Sequence, residues 1–190
     1  MIERILHVVY SDDVIVKGLA QLKDFDDYTY QHSVDTCVSA IQLGLKYYYN
    51  EQNLIFLAKA AILHDIGKMK VPIEIISGDK PLTPEERELI NMHPFYSAEW
   101  VLSHLKDKRI ATAVLMHHER EDGSGYPLGR SGIQIPMDAR IISVADIYNA
   151  LKASRSYRHD IYEDEQILDI FKKMKGIDLY VVDELYKTIG

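Results

Sequence analysis

Apolar residues recur every three or four positions along most of this chain, which is the spacing of one face of an α-helix. Val34, Val38, Ile41 and Leu45 follow this spacing, and they predict a helix from about His32 to Tyr49. The same periodicity predicts six further helices: Leu54 to Gly67, Thr83 to Leu105, Ile110 to His117, Ala139 to Leu151, Asp164 to Lys175 and Leu179 to Lys187. The pattern therefore predicts an all-α protein that folds as one bundle-like domain.

Short β-branched runs do not change this prediction. Val71-Pro72-Ile73 is broken by a proline, and Ile133-Gln134-Ile135 is bounded by one. Because proline cannot donate a hydrogen bond to a neighbouring strand, neither run is expected in the interior of a sheet. No β-sheet is predicted.

The third predicted helix carries the clearest start signal. Thr83 is a suitable N-cap, Pro84 lies in the first turn, and Glu86 stands three residues after the cap. These are the features of a capping box with a proline at the helix start. Farther along, Pro94 is expected to kink the helix beside His93, because proline removes one backbone hydrogen bond.

Two connections are longer than is usual in a compact domain, namely Met69 to Lys80 and Glu121 to Pro136. Loops of that length are commonly functional or disordered. Both follow closely after a pair of histidine or aspartate residues, which favours a functional role. Residues 1–27 are predicted to be an N-terminal helical extension, and residues 28–190 are predicted to form the main domain.

Composition and charge narrow the possible functions. A formal net charge of -7 argues against binding of a nucleic-acid polymer, which needs a basic surface. It does not exclude an anionic small ligand, because bound cations can invert the local field. Cys37 is the only cysteine, so no intramolecular disulfide can form. No stretch approaches the roughly 20 apolar residues of a membrane span, and the N-terminus lacks a secretory signal, so a cytoplasmic protein is expected.

Histidine and aspartate residues form a pattern that a hydrophobic core does not need. Imidazoles and carboxylates drawn from several segments suit a transition-metal site. The candidates are His32, His64, Asp65, His93, His117, His118 and Asp146. Their segments are separated by about 32, 29, 24 and 28 residues. One helix with its connection has roughly that length, so successive helices can bring the candidates to the same depth in a bundle.

Neighbouring candidates favour two metal ions over one. On a helix, His64 and Asp65 would point about 100° apart, so they suit adjacent ions, and the Asp65 carboxylate could bridge them. Two such ions can activate water against a phosphate ester.

Each histidine taken alone has a simpler explanation, since a lone histidine on a helix is more often a core or surface residue than a ligand. Five of the eight histidines fall in the pattern, however, and chance does not account for that. His7, His104 and His159 are expected at the surface. Asp146 lies in an otherwise apolar helix, where an unpaired carboxylate would be costly to bury, and a metal would remove that cost.

Two composite motifs carry a close family resemblance. The run His64-Asp65-Ile66-Gly67-Lys68 is followed later in the chain by His117-His118-Glu119-Arg120-Glu121-Asp122-Gly123-Ser124-Gly125-Tyr126-Pro127. Together they resemble the HD-GYP family, a branch of the HD superfamily of metal-dependent phosphohydrolases whose members degrade the bacterial second messenger cyclic di-GMP. The resemblance extends from about Tyr28 to Arg158.

This resemblance implies a role for each motif residue. It implies that the seven candidates are ligands of two metal ions and that Asp65 bridges them. Iron or manganese is the favoured metal, and zinc, nickel or cobalt are alternatives. Asp65 and Lys68 become the catalytic residues. The loop Gly125-Tyr126-Pro127 is expected to contact both substrate and protein partners. The implied substrate-binding residues are Tyr126, Asn149, Arg155 and Arg158.

Two positions depart from the family pattern. Tyr28 stands where members with three metals have a glutamate, and a phenol is a poor substitute for a carboxylate ligand, so two metals are expected. Asn149 stands where the family commonly has an aspartate. This change removes a charged acceptor near the substrate.

The sequence thus predicts a metal-dependent phosphodiesterase that hydrolyses cyclic di-GMP, mainly to linear pGpG, through a hydroxide activated by a dinuclear centre. Two alternatives stay open. One is hydrolysis of another nucleotide or phosphomonoester, and the other is a catalytically weak or silent module that binds cyclic di-GMP for signalling.

Overall fold

The computed structural model describes residues 1–78, 80–153 and 162–189. Within these ranges the chain forms helices and connections, and no β-strand occurs. The all-α prediction is confirmed. The α-helices are α1 (Ile2–Tyr10), α2 (Asp13–Phe25), α3 (Asp27–Lys46), α4 (Glu51–Leu63), α5 (Ile73–Ile76), α6 (Pro84–Asn91), α7 (His93–His104), α8 (Lys108–Met116), α9 (Met137–Lys152), α10 (Asp164–Lys173) and α11 (Leu179–Ile189).

The long helix α3 lies at the centre of the bundle and packs against α4 and α9. Its apolar face includes Cys37, Ile41 and Leu43, which are fully buried in one continuous core. A second face of α3 is buried but polar, with His32, Ser33, Thr36 and Ser39. Buried polar residues at helical spacing indicate that this face points to a site rather than to the core.

Helix α3 begins five residues before the predicted start and ends three residues before the predicted end. The earlier start follows from Asp26, whose carboxylate caps the helix by accepting the backbone N–H of Thr29 at 2.8 Å. The earlier end follows from Tyr48, whose φ of 55° is not helical. Capping and a left-handed residue therefore set both ends, and apolar spacing alone does not reveal them.

The predicted helix from Thr83 to Leu105 is wrong as a continuous element, because α6 and α7 are separate helices with a break at Met92. The capping box at its start is present: Glu86 N–H donates to the Thr83 hydroxyl at 3.2 Å, and Thr83 N–H donates to the Glu86 carboxylate at 2.8 Å. Pro94 has no N–H for the carbonyl of Ile90, so a helical bond is lost at this point and the helix breaks rather than kinks.

The two long connections contain short helical turns. The segment after His64 forms a 3₁₀ turn over Ile66–Lys70 and then α5, and the later one forms a 3₁₀ turn over Gly132–Gln134. Helix α4 consequently ends at Leu63, before the predicted end near Gly67. A Cβ atom on Gly67 would collide with the backbone of His93 and Ser97, so the turn packs tightly against α7.

Helices α1 and α2 lie within residues 1–27, and α3 begins at Asp27. The apolar side chains of Ile5, Val9, Ile15 and Leu19 enter the same core as α3 and α4. The division of the chain at residue 27 stays a prediction. No helix in the described part of the chain is long and apolar enough to cross a membrane.

Candidate metal centre

All seven candidate ligands converge on one buried position between the helices. His32 comes from α3, His64 and Asp65 follow α4, His93 begins α7, His117 and His118 follow α8, and Asp146 lies in α9. Their ligand atoms form overlapping groups of three, and within each group the atoms lie within 4.8 Å of one another. We call these seven residues the His–Asp cluster. All are buried except His118, which is half-buried.

The Asp65 carboxylate lies at the centre of the cluster. One oxygen, Oδ1, is 3.2 Å from Nε2 of His93, and the other, Oδ2, is 3.3 Å from Nε2 of His64. Oδ2 also accepts a hydrogen bond from the Lys68 ammonium at 2.6 Å. The two carboxylate oxygens thus face different histidines, as a bridging ligand requires.

The second carboxylate, Asp146, faces the other side of the cluster. Its Oδ1 is 2.8 Å from Nε2 of His32, and its Oδ2 is 3.9 Å from Nδ1 of His118. Asp146 therefore joins α3 and α9 at the depth of Asp65.

Three of the histidine rings are oriented by the backbone at helix ends. Nδ1 of His64 bonds to the carbonyl of Ala61 at 2.7 Å, and Nδ1 of His117 bonds to the carbonyl of Val114 at 2.6 Å. The last carbonyls of a helix lack intrahelical partners, so they are free to accept these bonds. A ring that donates through Nδ1 presents the lone pair of Nε2, which is the form that binds a metal.

The third such ring, His93, explains why the break in the predicted long helix matters for the site. The carbonyl of Ile90, which Pro94 cannot bond, accepts the Nδ1–H of His93 at 2.7 Å. The Nε2 atoms of His93 and His117 then lie 3.4 Å apart. With both Nδ1 atoms protonated, two lone pairs face each other, and a cation between them would remove their repulsion.

Besides Nδ1 of His32, two buried ligand atoms in the cluster have no hydrogen-bond partner among the described residues, namely Nε2 of His64 and Oδ1 of Asp65. Buried polar atoms are normally paired, because an unpaired one costs free energy. These two atoms point into the cluster, where a metal ion would coordinate them. The residues present therefore fit a transition metal in both composition and unmet coordination.

The ionisation of the cluster suits metal binding at neutral pH. Burial lowers the pKa of His93 to about 4 and that of His117 to about 3, and it also holds the pKa of His118 well below its usual range. These rings are therefore neutral at pH 7. Burial opposes the charge on Asp65, but the nearby His64 and Lys68 outweigh it and hold the carboxyl pKa well below normal.

A cavity of about 330 Å³ opens above the cluster. Polar groups of the cluster form its floor, together with Lys68. Apolar side chains, among them Ile90, Ile147 and Leu151, form part of its wall, and Tyr126 lines one side. The cavity thus combines a polar floor with an apolar wall, as expected of a small-molecule site.

Tyr126 is held over the cluster by ring stacking and by a close backbone approach. Its ring stacks on His118 with centroids 4.7 Å apart, and its N–H donates to the carbonyl of His118 at 3.3 Å. Only glycine fits at position 125, since a Cβ there would lie 2.5 Å from backbone atoms of His118, Glu119 and Arg120. Tyr126 thus lies beside the cluster, and its predicted role in substrate binding stays a prediction.

Glu119 is a residue whose role the sequence did not reveal. Its carboxylate is buried and accepts the backbone N–H of Leu128 at 2.6 Å and that of Arg130 at 2.8 Å. It thereby fastens the segment that follows Tyr126 to the end of α8. We call the segment 119–134 the clamped loop. The adjacent His117-His118 pair marked this position as functional, but only the fold identifies its hydrogen-bond partners.

The other predicted substrate-binding residues, and the histidines predicted at the surface, lie outside the His–Asp cluster or outside the described residues. The Asn149 amide donates to the hydroxyl of Ser39 at 3.0 Å and to the carbonyl of Ala145 at 2.8 Å, so its nitrogen is turned toward α3 and its own helix. Arg155 and Arg158 lie outside the described residues, as does His159. His7 and His104 are exposed, as predicted.

Comparison with known proteins identifies the family. The model of the HD domain family matches residues 17–181, and a cyclic di-GMP phosphodiesterase of Pseudomonas aeruginosa is 38% identical over 91% of this chain. The response regulator RpfG of Xanthomonas campestris, also named a cyclic di-GMP phosphodiesterase, is 40% identical over 63% of the chain. A 3'3'-cGAMP-specific phosphodiesterase of Vibrio cholerae is 35% identical over 77%.

Solved structures share the fold. An HD-GYP-type protein from Bdellovibrio bacteriovorus matches with a TM-score of 0.68 at 20% identity, covering 83% of this chain and 51% of that protein. The HD domain of a phosphodiesterase from L. monocytogenes, solved with cyclic-di-AMP, matches with a TM-score of 0.66 at 18% identity. The match covers 90% of this chain and 92% of that domain.

The chain belongs to the HD domain family, within the HD-GYP group whose motifs the sequence carries. It spans only part of its curated relatives, 42% of the Pseudomonas protein, 31% of the Xanthomonas protein and 32% of the Vibrio protein. Its His–Asp cluster has the composition of a metal-binding site.

Proposed function

We propose that this chain is a metal-dependent phosphodiesterase that hydrolyses cyclic di-GMP, mainly to linear pGpG. The observation that carries the proposal is the His–Asp cluster, in which backbone-oriented rings turn Nε2 atoms toward a central carboxylate. The names of the relatives supply the substrate, since several are cyclic di-GMP phosphodiesterases.

The cluster is proposed to hold two transition-metal ions, with iron or manganese favoured over zinc, nickel or cobalt. Seven ligands suffice for two ions, and the Asp65 oxygens face different histidines. When bound, such ions would lower the pKa of a shared water toward about 7 and polarise phosphoryl oxygens.

Lys68 is proposed to neutralise charge on the substrate phosphate. Its ammonium lines the cavity and is anchored at 2.6 Å by Asp65, so its position is fixed relative to the cluster. An ammonium has three donors and no lone pair, so it can contact phosphoryl oxygens but cannot bind a metal. Charge fixed in advance beside a buried site stabilises a transition state more than a mobile charge does.

The Gly125-Tyr126-Pro127 loop is proposed to contact the substrate and, at its outer side, protein partners. Tyr126 supports the first role because it lines the cavity and stacks on His118. A cytoplasmic location agrees with a second-messenger substrate and stays a prediction.

The proposed main product, pGpG, rests on Tyr28. Its ring lies parallel to that of His32, with centroids 6.2 Å apart, so a phenol stands at the edge of the cluster where a carboxylate would bind a third ion. Without that extra cation, the terminal phosphate of pGpG is held less well, and the second cut should be slow.

A chromatographic time course tests this function. With metal-loaded protein, cyclic di-GMP should disappear while pGpG accumulates and GMP forms slowly. If GMP appears as fast as cyclic di-GMP disappears, the product assignment is wrong; if cyclic di-GMP persists at every metal tested, the activity is wrong.

A second substrate, 3'3'-cGAMP, is favoured by one observation, the similarity to a Vibrio cholerae enzyme named for it. Including this dinucleotide in the time course separates the two substrates. The other alternative, a silent binding module, agrees less well with a complete set of ligands in the cluster.

A further inference from the structure

We propose that a second cavity, beside the one above the His–Asp cluster, binds a purine base of the substrate and that Glu88 selects guanine there. This inference rests on the proposed function, because the base belongs to a nucleotide whose phosphate lies at the cluster.

The second cavity, which we call the α6 groove, has a volume of about 640 Å³. One wall is a single face of α6 and the residue that ends it. Glu85, Glu88 and Leu89 of the helix and its C-cap Met92 follow the helical spacing of three and four. Other residues that line it are Asn91, Phe95, Tyr126 and Pro127.

Tyr126 connects the α6 groove to the metal centre, because its side chain lines both cavities. Its ring stacks on His118, a candidate ligand. Because the two cavities border the same residue, a nucleotide with its phosphate at the cluster is proposed to extend past Tyr126 into the groove.

The apolar lining of the groove suits a flat aromatic ligand. Leu89, Met92 and Phe95 are 47%, 39% and 37% exposed, so three large apolar side chains of one cavity lie open to water. Nucleobases stack on aromatic side chains, and every base offers such a face. A base in the groove would cover this surface, with Phe95 and Tyr126 as the available rings.

The charge of the groove distinguishes a base from a phosphate. Glu85 and Glu88 are both exposed and line the cavity, so they repel a phosphate. Neither carboxylate has a hydrogen-bond or ion-pair partner within the part of the chain that the structure describes. Two carboxylates that are free to accept, beside an apolar wall, match a flat ligand that brings donors.

Guanine brings the matching donors. Its N1–H and N2–H₂ groups lie side by side on one edge, and a carboxylate, which only accepts, can take both. Adenine presents one donor and one acceptor on that edge, so its N1 lone pair would face a carboxylate lone pair. The groove should therefore favour guanine over adenine.

Glu88 is assigned to this contact because it lies one helical turn nearer to His93 than Glu85 does. The third glutamate of the helix, Glu86, is already engaged in the capping box with Thr83. Glu88 is thus the carboxylate of α6 that lies closest along the chain to the metal centre and still has acceptors to offer.

The affinity of Mn²⁺-loaded protein for GMP and AMP, measured by isothermal titration calorimetry, tests this assignment. The unmodified protein should bind GMP about tenfold more tightly than AMP, as one bidentate pair predicts. Glu88→Gln should weaken GMP and strengthen AMP, because an amide offers one donor and one acceptor. Phe95→Ala should weaken both nucleotides by a similar factor.

Glu99→Gln, a change of the same type at an exposed position of α7 that does not line the groove, is the matched control and should leave the GMP-to-AMP ratio unchanged. An unchanged ratio in Glu88→Gln, or no preference in the unmodified protein, would overturn the assignment and leave the groove to a protein partner. A GMP preference that Glu88→Gln removes would support it even if cyclic di-GMP were not hydrolysed, so its failure is distinguishable from that of the proposed function.

Discussion

The His–Asp cluster and the clamped loop lie next to each other but are held in place by different means. In the cluster, His64, His93 and His117 are each oriented by a backbone carbonyl three residues earlier in the chain. In the loop, a single carboxylate, that of Glu119, holds two backbone N–H groups. The cluster is thus fixed by helix ends, whereas the loop is held by side chains, among them Glu119 and Arg140, which donates to Glu121 and to the carbonyl of Gly132.

From this difference we predict that metal binding and substrate positioning are separable. Substitution of a loop residue should leave the helix ends, and therefore the candidate ligands, in place. Substitution of a group beside the cluster can alter the chemistry without moving the loop.

Lys68→Ala should have the largest effect on turnover among variants that keep the metals. Lys68 is not a ligand, and its loss removes one donor for the charge that develops on phosphate, so turnover of cyclic di-GMP should fall by about 10²–10³. Elemental analysis should show an unchanged metal content. The exposed Lys70 of the same turn is the matched control, and Lys70→Ala should retain turnover; full turnover in Lys68→Ala would remove Lys68 from the mechanism.

Glu119→Gln should have an intermediate effect, confined to the loop. An amide keeps one acceptor and sets its NH₂ group against a backbone N–H, so the segment after Tyr126 loses one charged hydrogen bond. The free energy of unfolding should fall by about 1.5–3 kcal/mol, and kcat/KM for cyclic di-GMP should fall about tenfold, mainly through KM.

The metal content of Glu119→Gln should not change, and this separates a positioning role from general damage. Glu165→Gln, at an exposed position of α10, is the control and should match the unmodified protein in all three measurements. Loss of metal in Glu119→Gln would show that the cluster and the loop are not separable.

The sequence predicted the cluster better than the loop, for a physical reason. The candidate ligands lie about one helix and its connection apart along the chain, so successive helices can bring them to the same depth. The bonds of Glu119 run to Leu128 and Arg130 in an irregular segment, where no periodicity relates partners. The same limit explains Met92, since the helix break depends on the ring of His93 taking the carbonyl that Pro94 leaves free.

Asn149 shows a second feature that the sequence did not predict, the pairing of polar groups between helices. Its position in a helix was predicted. The direction of its amide depends on Ser39, however, which lies in α3, more than one hundred positions earlier in the chain. Apolar spacing predicts which face of a helix is buried but not which polar groups pair between helices.

The last effect is on stability and not on turnover: it concerns the pH dependence of unfolding in metal-free protein. It tests the cluster and not the clamped loop, because residues 119–134 contain no histidine. Burial lowers the pKa of His93 to about 4 and of His117 to about 3, so the folded chain stays unprotonated there while the unfolded chain takes up protons below about pH 6.5. Stability should therefore fall as the pH drops from 7 to 5, by roughly 2 kcal/mol for each of these two rings.

His64 acts in the opposite direction and reduces the total loss of stability at low pH. Burial lowers its pKa, but the carboxylate of Asp65 outweighs burial and raises it, so this ring adds stability at low pH. Chemical unfolding in EDTA at several pH values measures the slope. His117→Gln should flatten it, His7→Gln at the surface should not, and a slope of the opposite sign would contradict the neutral, buried state of the rings.

Elemental analysis of protein purified without oxygen tests the central claim most directly, with Asp65→Ala and the exposed Asp35→Ala compared in parallel. We predict about two transition-metal ions per chain in the unmodified protein and in Asp35→Ala, and the loss of most metal and of cyclic di-GMP hydrolysis in Asp65→Ala. A full metal complement with full activity in Asp65→Ala would contradict the account.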